Sequence, residues 1–171
     1  MTYTEIQGDL FQHLYREPSN DKLRYTQSNI PVYCHCIAND GRWGAGIAPV
    51  FIDKIFKNRN DVLAVLNQHK WDGKGWCAMT SSVLEFAQAI FEANLITKRN
   101  TSGKPSYVTI TESLKDLRKK MEEYFLLRQH GTIIRMPKIG CGLDGLDWDI
   151  VSTLIKGVFS DTDVNIQVYY L

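Results

Sequence analysis

Apolar and polar positions change period several times along the chain, and each change marks an element. "TYTEI" near the start alternates and predicts a strand. From about Leu10 to Ile30 the chain is polar and irregular, with a strong turn signal at "REPSND". A surface loop is expected there, with a short helix at most around "LFQHLY". "PVYCHCIA" is a β-rich run beginning after Pro31. A glycine-rich stretch follows, after which Ile47, Phe51 and Ile55 recur at helical spacing with Val50 beside them. Pro49 fits only a first turn, which places that helix start near Gly46 or Ala48. "NDVLAVLNQH" predicts a second short helix capped by Asn60. "GWCAMTS" and "QAIFEANLIT" predict two strands with "SSVLEF" as a tight connection. Beyond the loop "KRNTSGKPSY", the longest helix is expected from Thr109, where Thr109-Ile-Thr-Glu112 has capping-box form. Its buried stripe is Leu114, Leu117, Met121, Tyr124 and Phe125. "TIIRM" is a strand, Asp147 caps a helix carrying Trp148, Val151, Ile155 and Val158 on one side, and "VNIQVYYL" is a last strand.

Strands alternating with helices predict an α/β layered fold with a largely parallel, helix-covered sheet. A length of 171 residues makes one domain over 1–171 the default. Ligands of such sheets bind beyond the carboxyl ends of the strands. Two glycine loops fall there, "GRWGAGIAPVF" and "MPKIGCGLDGLDWDI", each leaving a strand and entering a helix. A helix N-terminus offers unpaired N–H groups and the positive end of the dipole, and glycine lets the backbone approach an anion closely. Two such loops facing one cleft suit a diphosphate, although glycines at strand–helix junctions also serve simply as turn residues. The P-loop pattern is absent, and "GAGIAP" lacks the third glycine of a dinucleotide fingerprint.

Charge removes one class of partner. Twenty basic and nineteen acidic side chains leave a formal charge of +1, which gives no case for a large nucleic-acid footprint. "KLRYTQ" and "TKRNTSGK" are the local basic clusters, and both also read as solvated loops. No apolar run reaches membrane-spanning length and the first residues carry no secretory pattern, so a cytoplasmic, reducing location is expected. Cys34 and Cys36 should share one strand face, and neither they nor Cys77 and Cys141 have zinc-pair spacing. Reduced thiols are expected, with no metal and no cofactor. Cys141, inside a glycine loop, also reads as a nucleophile candidate.

"QGDLF", "HCIANDGRWGAGIA" and "MPKIGCGLDGLDW", in this order and spacing, resemble a macrodomain across nearly the whole chain. "ITKRNTSGKPSY" and the terminal "QVYYL" are similar to the branch holding terminal ADP-ribose protein glycohydrolase and the ADP-ribose 1″-phosphate phosphatases. The resemblance implies a three-layer α/β/α domain with a mixed, largely parallel sheet. It implies a monomeric hydrolase that binds ADP-ribose and acts at the distal ribose. The substrate would be ADP-ribosylated protein, with the acceptor an acidic side-chain ester, or ADP-ribose 1″-phosphate. Nucleic-acid-linked ADP-ribose and a non-catalytic ADP-ribose reader are the alternatives. Carried over by position, Asp9 and Leu10 would meet the adenine. Gly44, Ala45, Gly46 and Ile47 would hold one phosphate, and Gly140, Cys141, Gly142 and Leu143 the other. Trp43 would wall the distal ribose or cover a core edge. Asp144 would be the catalytic acid, unless it only caps a helix. Lys98 would attack the anomeric carbon, unless it is a solvated loop residue. His35 would act in a phosphatase, unless it is a packed strand histidine.

Overall fold

The computed structural model describes residues 1–14, 30–43, 45–55, 59–84, 89–124, 126–128 and 131–171. Six strands form one sheet: β1 (Thr2–Gln7), β2 (Val32–Ala38), β3 (Trp76–Val83), β4 (Ala89–Lys98), β5 (Thr132–Pro137) and β6 (Val164–Tyr170). Their spatial order is β1-β6-β5-β2-β4-β3. Neighbours run parallel except for β3, which is antiparallel to β4 and closes one edge. The helices are α1 (Ala48–Lys54), α2 (Arg59–Gln68), α3 (Tyr107–Glu123) and α4 (Trp148–Phe159). β2 is buried almost end to end, as a central parallel strand with helices on both faces must be.

Alternation along the strands sends side chains into two cores. Cys34, Leu95, Ile134 and Val168 meet Ile110, Leu114, Leu117 and Met121 of α3 and Val151, Ile155 and Phe159 of α4, with Cys36 packed against the same cluster. Tyr33, Ile37 and Ile96 point the other way, onto Phe51 and Ile55 and onto Val62 and Leu66 of α2. Pro49 stands in the first turn of α1 as expected, while Val50 turns outward. Burying an aromatic such as Phe51 stabilises the fold by about 2–3 kcal/mol, so this second core fixes where the loop ahead of α1 begins.

Local expectations fail where tertiary packing or a better cap intervenes. α3 starts two residues early, at Tyr107. Ser106 is its cap: its Oγ accepts from the Thr109 amide, and Thr109 Oγ1 accepts from the Ser106 amide. Thr109 is therefore the third residue of the box, and Glu112 instead accepts from the Gly75 amide. Tyr124 is exposed, and Phe125 lies outside the described residues. α2 includes Asn60, which is thus no cap. β3 runs on to Val83, absorbing "SSV" of the expected connection. Residues 10–14 form turns, not a helix, and belong to the core: Leu10, Phe11 and Leu14 are buried, with the Phe11 ring edge-on to Phe51 at 5.1 Å. The expected loop beyond them, including "REPSND" and the "KLRYTQ" cluster, lies outside the described residues.

Glu92 of β4 is fully buried, and its Oε2 accepts from Thr80 at 2.6 Å while Oε1 has no hydrogen-bond partner among the described residues. Burial raises its pKa, only partly offset by Ser82 and Thr80. The folded state holds this proton more tightly than the unfolded chain does, so stability is lost as pH rises above about 4.3 and through the folded pKa. Glu92→Gln keeps the volume and removes the charge. We expect it to raise Tm at pH 8 by a few degrees, about 1 kcal/mol, and to do so less at pH 5. An equal shift at both pH values would show that the fold does not raise the Glu92 pKa.

Candidate active site

β5, β2 and β4 are adjacent and parallel, so the loops that leave them rise at one end of the sheet. Between these loops lies a cleft of about 330 Å³. Its walls are Arg42–Ala48 with Gly44 left undescribed, Pro137–Asp144 without Cys141, and Lys98 with Thr101–Lys104. Gly46 has φ +66° and Gly140 φ +71°, the left-handed region that glycine occupies without penalty. A Cβ placed on Gly46 or Gly142 meets nothing within 4 Å, so both face open space.

The two glycine loops are not equivalent. No side chain caps Ile47 at the start of α1, but Pro49 has no N–H and the Val50 amide donates to Ile47 O at 3.0 Å, so a ligand at this helix start has the Ala48 amide and not a full first turn. At α4, Asp147 accepts from the Asp149 amide and both carboxylates occupy the helix start. An anion on the second loop must therefore be held by the loop backbone and not by the α4 dipole. That loop is pre-shaped by its own bonds, Leu146 N–H to Gly140 O at 2.9 Å and Gly145 N–H to Gly142 O at 3.1 Å.

Lys98 and Asp144 meet inside the cleft. Lys98 Nζ donates to Asp144 Oδ1 at 2.7 Å, and the side chains are 15% and 19% exposed. A register shift aims the lysine. Ile37 pairs with Ile96 but Ala38 pairs with Lys98, so Thr97 is an extra residue that re-aims the strand end. Among the described lining residues Arg42, Lys98, Lys104 and Lys138 are basic and Asp144 is the single acid. A concave wall of this sign concentrates polyanions.

No protein-family model matches the chain. The macrodomain of Mycobacterium tuberculosis DarG has the same fold, with a TM-score of 0.76 at 19% identity over 99% of this chain and 98% of that one. The macrodomain of Thermus aquaticus DarG gives 0.75 at 19% identity, covering 99% of both chains. Human ADP-ribose glycohydrolase OARD1 is 36% identical over 98% of this chain and 91% of its own length. The chain is a macrodomain. A Candida albicans protein named ADP-ribose 1″-phosphate phosphatase is 28% identical over 95% of this chain and 97% of its own length, which sets the macrodomain in the branch with these two enzymes.

Of the expected site residues, the macrodomain brings Trp43, Ala45, Gly46, Ile47, Lys98, Gly140, Gly142, Leu143 and Asp144 to the cleft. Gly44 lies outside the described residues. Cys141 is not part of the lining. Its amide is spent on Lys138 O at 3.3 Å, its Sγ donates to Ile139 O at 3.2 Å, and burial pushes the thiol up to about 11. A thiol so held is no nucleophile. All four cysteines are free. Asp9 and Leu10 follow the outer strand β1 and are not among the residues that line the cleft. Asp9 Oδ1 accepts from the Phe11 amide at 2.9 Å, closing a turn, and Leu10 is core.

His35 does not line the cleft either. It is fully buried, its ring stacks on Phe51 at 3.9 Å, and Nε2 bonds Asn94 Oδ1 at 2.7 Å. Desolvation lowers its pKa to about 4 despite that bond, so it stays neutral at physiological pH. Arg99, next to Lys98, is exposed and outside the lining. Sequence reading missed Arg42, Thr101, Ser102, Lys104 and Lys138, although "TKRNTSGK" flagged the cluster that supplies Lys98 and Lys104. Among the described residues no group of three His, Cys, Asp or Glu is placed to hold a metal, and no helix is long and apolar enough to cross a membrane.

Proposed function

We propose that this macrodomain is an ADP-ribose-processing hydrolase that frees ADP-ribose from acidic side-chain esters by lysine attack at the distal ribose. The observation that carries this reading is the 2.7 Å contact between Lys98 Nζ and Asp144 Oδ1 inside a basic cleft. The human relative named a glycohydrolase supports the reaction class. The glycine loops hold the diphosphate by backbone amides and so fix the anomeric carbon beside Lys98. Lysine must lose a proton to become a nucleophile, and Asp144 is within reach to accept it. Nζ then bonds to the anomeric carbon, whose bond to the acceptor oxygen breaks with both electrons leaving on the acceptor carboxylate. Water adds to the same carbon in the second half-reaction and Lys98 departs, with Asp144 relaying protons.

A second reading, phosphate release from ADP-ribose 1″-phosphate, is favoured by the Candida albicans relative's name. His35 is ill placed for it, being buried and held neutral outside the cleft lining. Offering the protein an ADP-ribosyl-glutamyl peptide and ADP-ribose 1″-phosphate side by side tests both readings. The ester should be consumed and should leave a transient ADP-ribosyl mass on the Lys98 peptide. Calorimetry should give micromolar binding of ADP-ribose, about −8 kcal/mol, and weaker binding of AMP, which lacks the second phosphate and the distal ribose. Equal affinities would contradict a cleft built from both loops. Binding without turnover of either compound would leave a reader module.

A further inference from the structure

The ladder between β2 and β4 ends where Asn39 N–H donates to Lys98 O at 2.9 Å. Beyond it the two chains separate, one toward the first glycine loop and the other toward α3. A second set of bonds rejoins them. Asp40 Oδ1 accepts from the Arg42 amide at 3.0 Å and Oδ2 from the Thr101 amide at 2.9 Å. Thr101 Oγ1 lies 3.0 and 3.1 Å from the two carboxylate oxygens and 3.2 Å from Arg42 O. One carboxylate thus binds the loop that begins the diphosphate wall and the loop that continues from Lys98, over a separation of 61 residues.

We propose that Asp40 and Thr101 form a clasp that positions Lys98 against the first glycine loop, so that the lysine meets the anomeric carbon of a ligand anchored by that loop. The inference rests on the reading of Lys98 as nucleophile. An isolated surface ion pair of flexible side chains contributes little. Here a short carboxylate takes two backbone N–H groups and a hydroxyl, and charge-assisted bonds of this kind are stronger and lose less side-chain freedom. Burial pushes the Asp40 carboxyl up, but the Arg42 and Thr101 amides outweigh it and hold the group below its usual range, so the clasp stays charged at physiological pH. The clasp is also needed at this point. The extra residue Thr97 leaves Lys98 at a bulge, where the sheet alone holds its direction less firmly. Asp40 and Thr101 act through Lys98 and are positioning residues.

Thr101→Val keeps the shape and the backbone amide but removes the hydroxyl. We expect kcat on the ADP-ribosyl-glutamyl peptide to fall about tenfold or more, since a misplacement near 1 Å costs up to a hundredfold. The Kd of ADP-ribose should move less than kcat does, because the second glycine loop is shaped by its own bonds and is untouched by the substitution. Thr101→Ser should restore most of kcat, and Asp40→Asn should behave like the valine variant. Hydrogen exchange over residues 98–104 reads the clasp without turnover, and its protection should drop in Thr101→Val and return in Thr101→Ser. Unchanged kcat or unchanged protection in Thr101→Val overturns the inference, as does an equal fall in binding, turnover and Tm that serine fails to rescue. If the wild type turns over neither substrate, the lysine reading fails, and the exchange result still decides whether the clasp holds the loop.

Discussion

Lys98→Arg is expected to stop turnover of the ADP-ribosyl-glutamyl ester, by about a thousandfold or more, while ADP-ribose still binds. Arginine keeps the positive charge beside Asp144 but does not give up its proton, so it cannot attack carbon. Asp144→Asn should cost a similar factor, because the amide keeps the size and the contact but cannot accept a proton. If the two groups act as one unit, the double variant should be hardly worse than either single one. Single-turnover rates and calorimetry on the same samples check this. An active Lys98→Arg protein with no ADP-ribosyl mass on the wild-type Lys98 peptide would end the lysine route. A protein that had also lost ADP-ribose binding would show that the pair anchors ligand instead of transforming it.

Gly142→Val is expected to abolish ADP-ribose binding, at least about a hundredfold in Kd, with little change in Tm. A Cβ there meets nothing within 4 Å, and the position has no left-handed φ, so the fold has no reason to suffer. The added methyl groups would occupy the space that a phosphate must enter to reach the loop amides. Gly46→Val differs in kind. Its space is equally open, but φ is +66°, so a β-branched residue adds backbone strain of about 1–2 kcal/mol to the steric block. Both should lose binding, and the Gly46 variant alone should also lose a few degrees in Tm. Normal ADP-ribose binding by a folded Gly142→Val protein would remove the second loop from the ligand site.

Sequence patterning determined much of this molecule because it records local physics. The alternating "TYTEI" became β1, the β-rich "PVYCHCIA" became β2, and period-3.6 runs with Asp147 or Pro49 at their start became α4 and α1. The glycine spacing announced both loops, since a left-handed backbone at Gly46 and Gly140 is a property of those residues themselves. Family resemblance singled out Lys98 and Asp144 one at a time. Their meeting was invisible in the sequence. It depends on β5 and β4 flanking β2, and on one extra residue at Thr97 that re-aims the end of β4. The same limit bears on the other expected site residues. For His35 the sequence left open a phosphatase role and a packed strand histidine, and strand register places its ring on Phe51 and Asn94, outside the cleft lining. Asp9 closes its own turn on the outer strand, and Cys141 spends its amide and thiol on Lys138 and Ile139. The existence of helices and turns follows from neighbours within a few positions, so one chain segment suffices to read it, even where the cap itself is Ser106 and not Thr109. The Lys98–Asp144 contact, spanning 46 residues, and the Asp40–Thr101 bonds, spanning 61, follow from strand order and bulge position, which only the packed sheet sets.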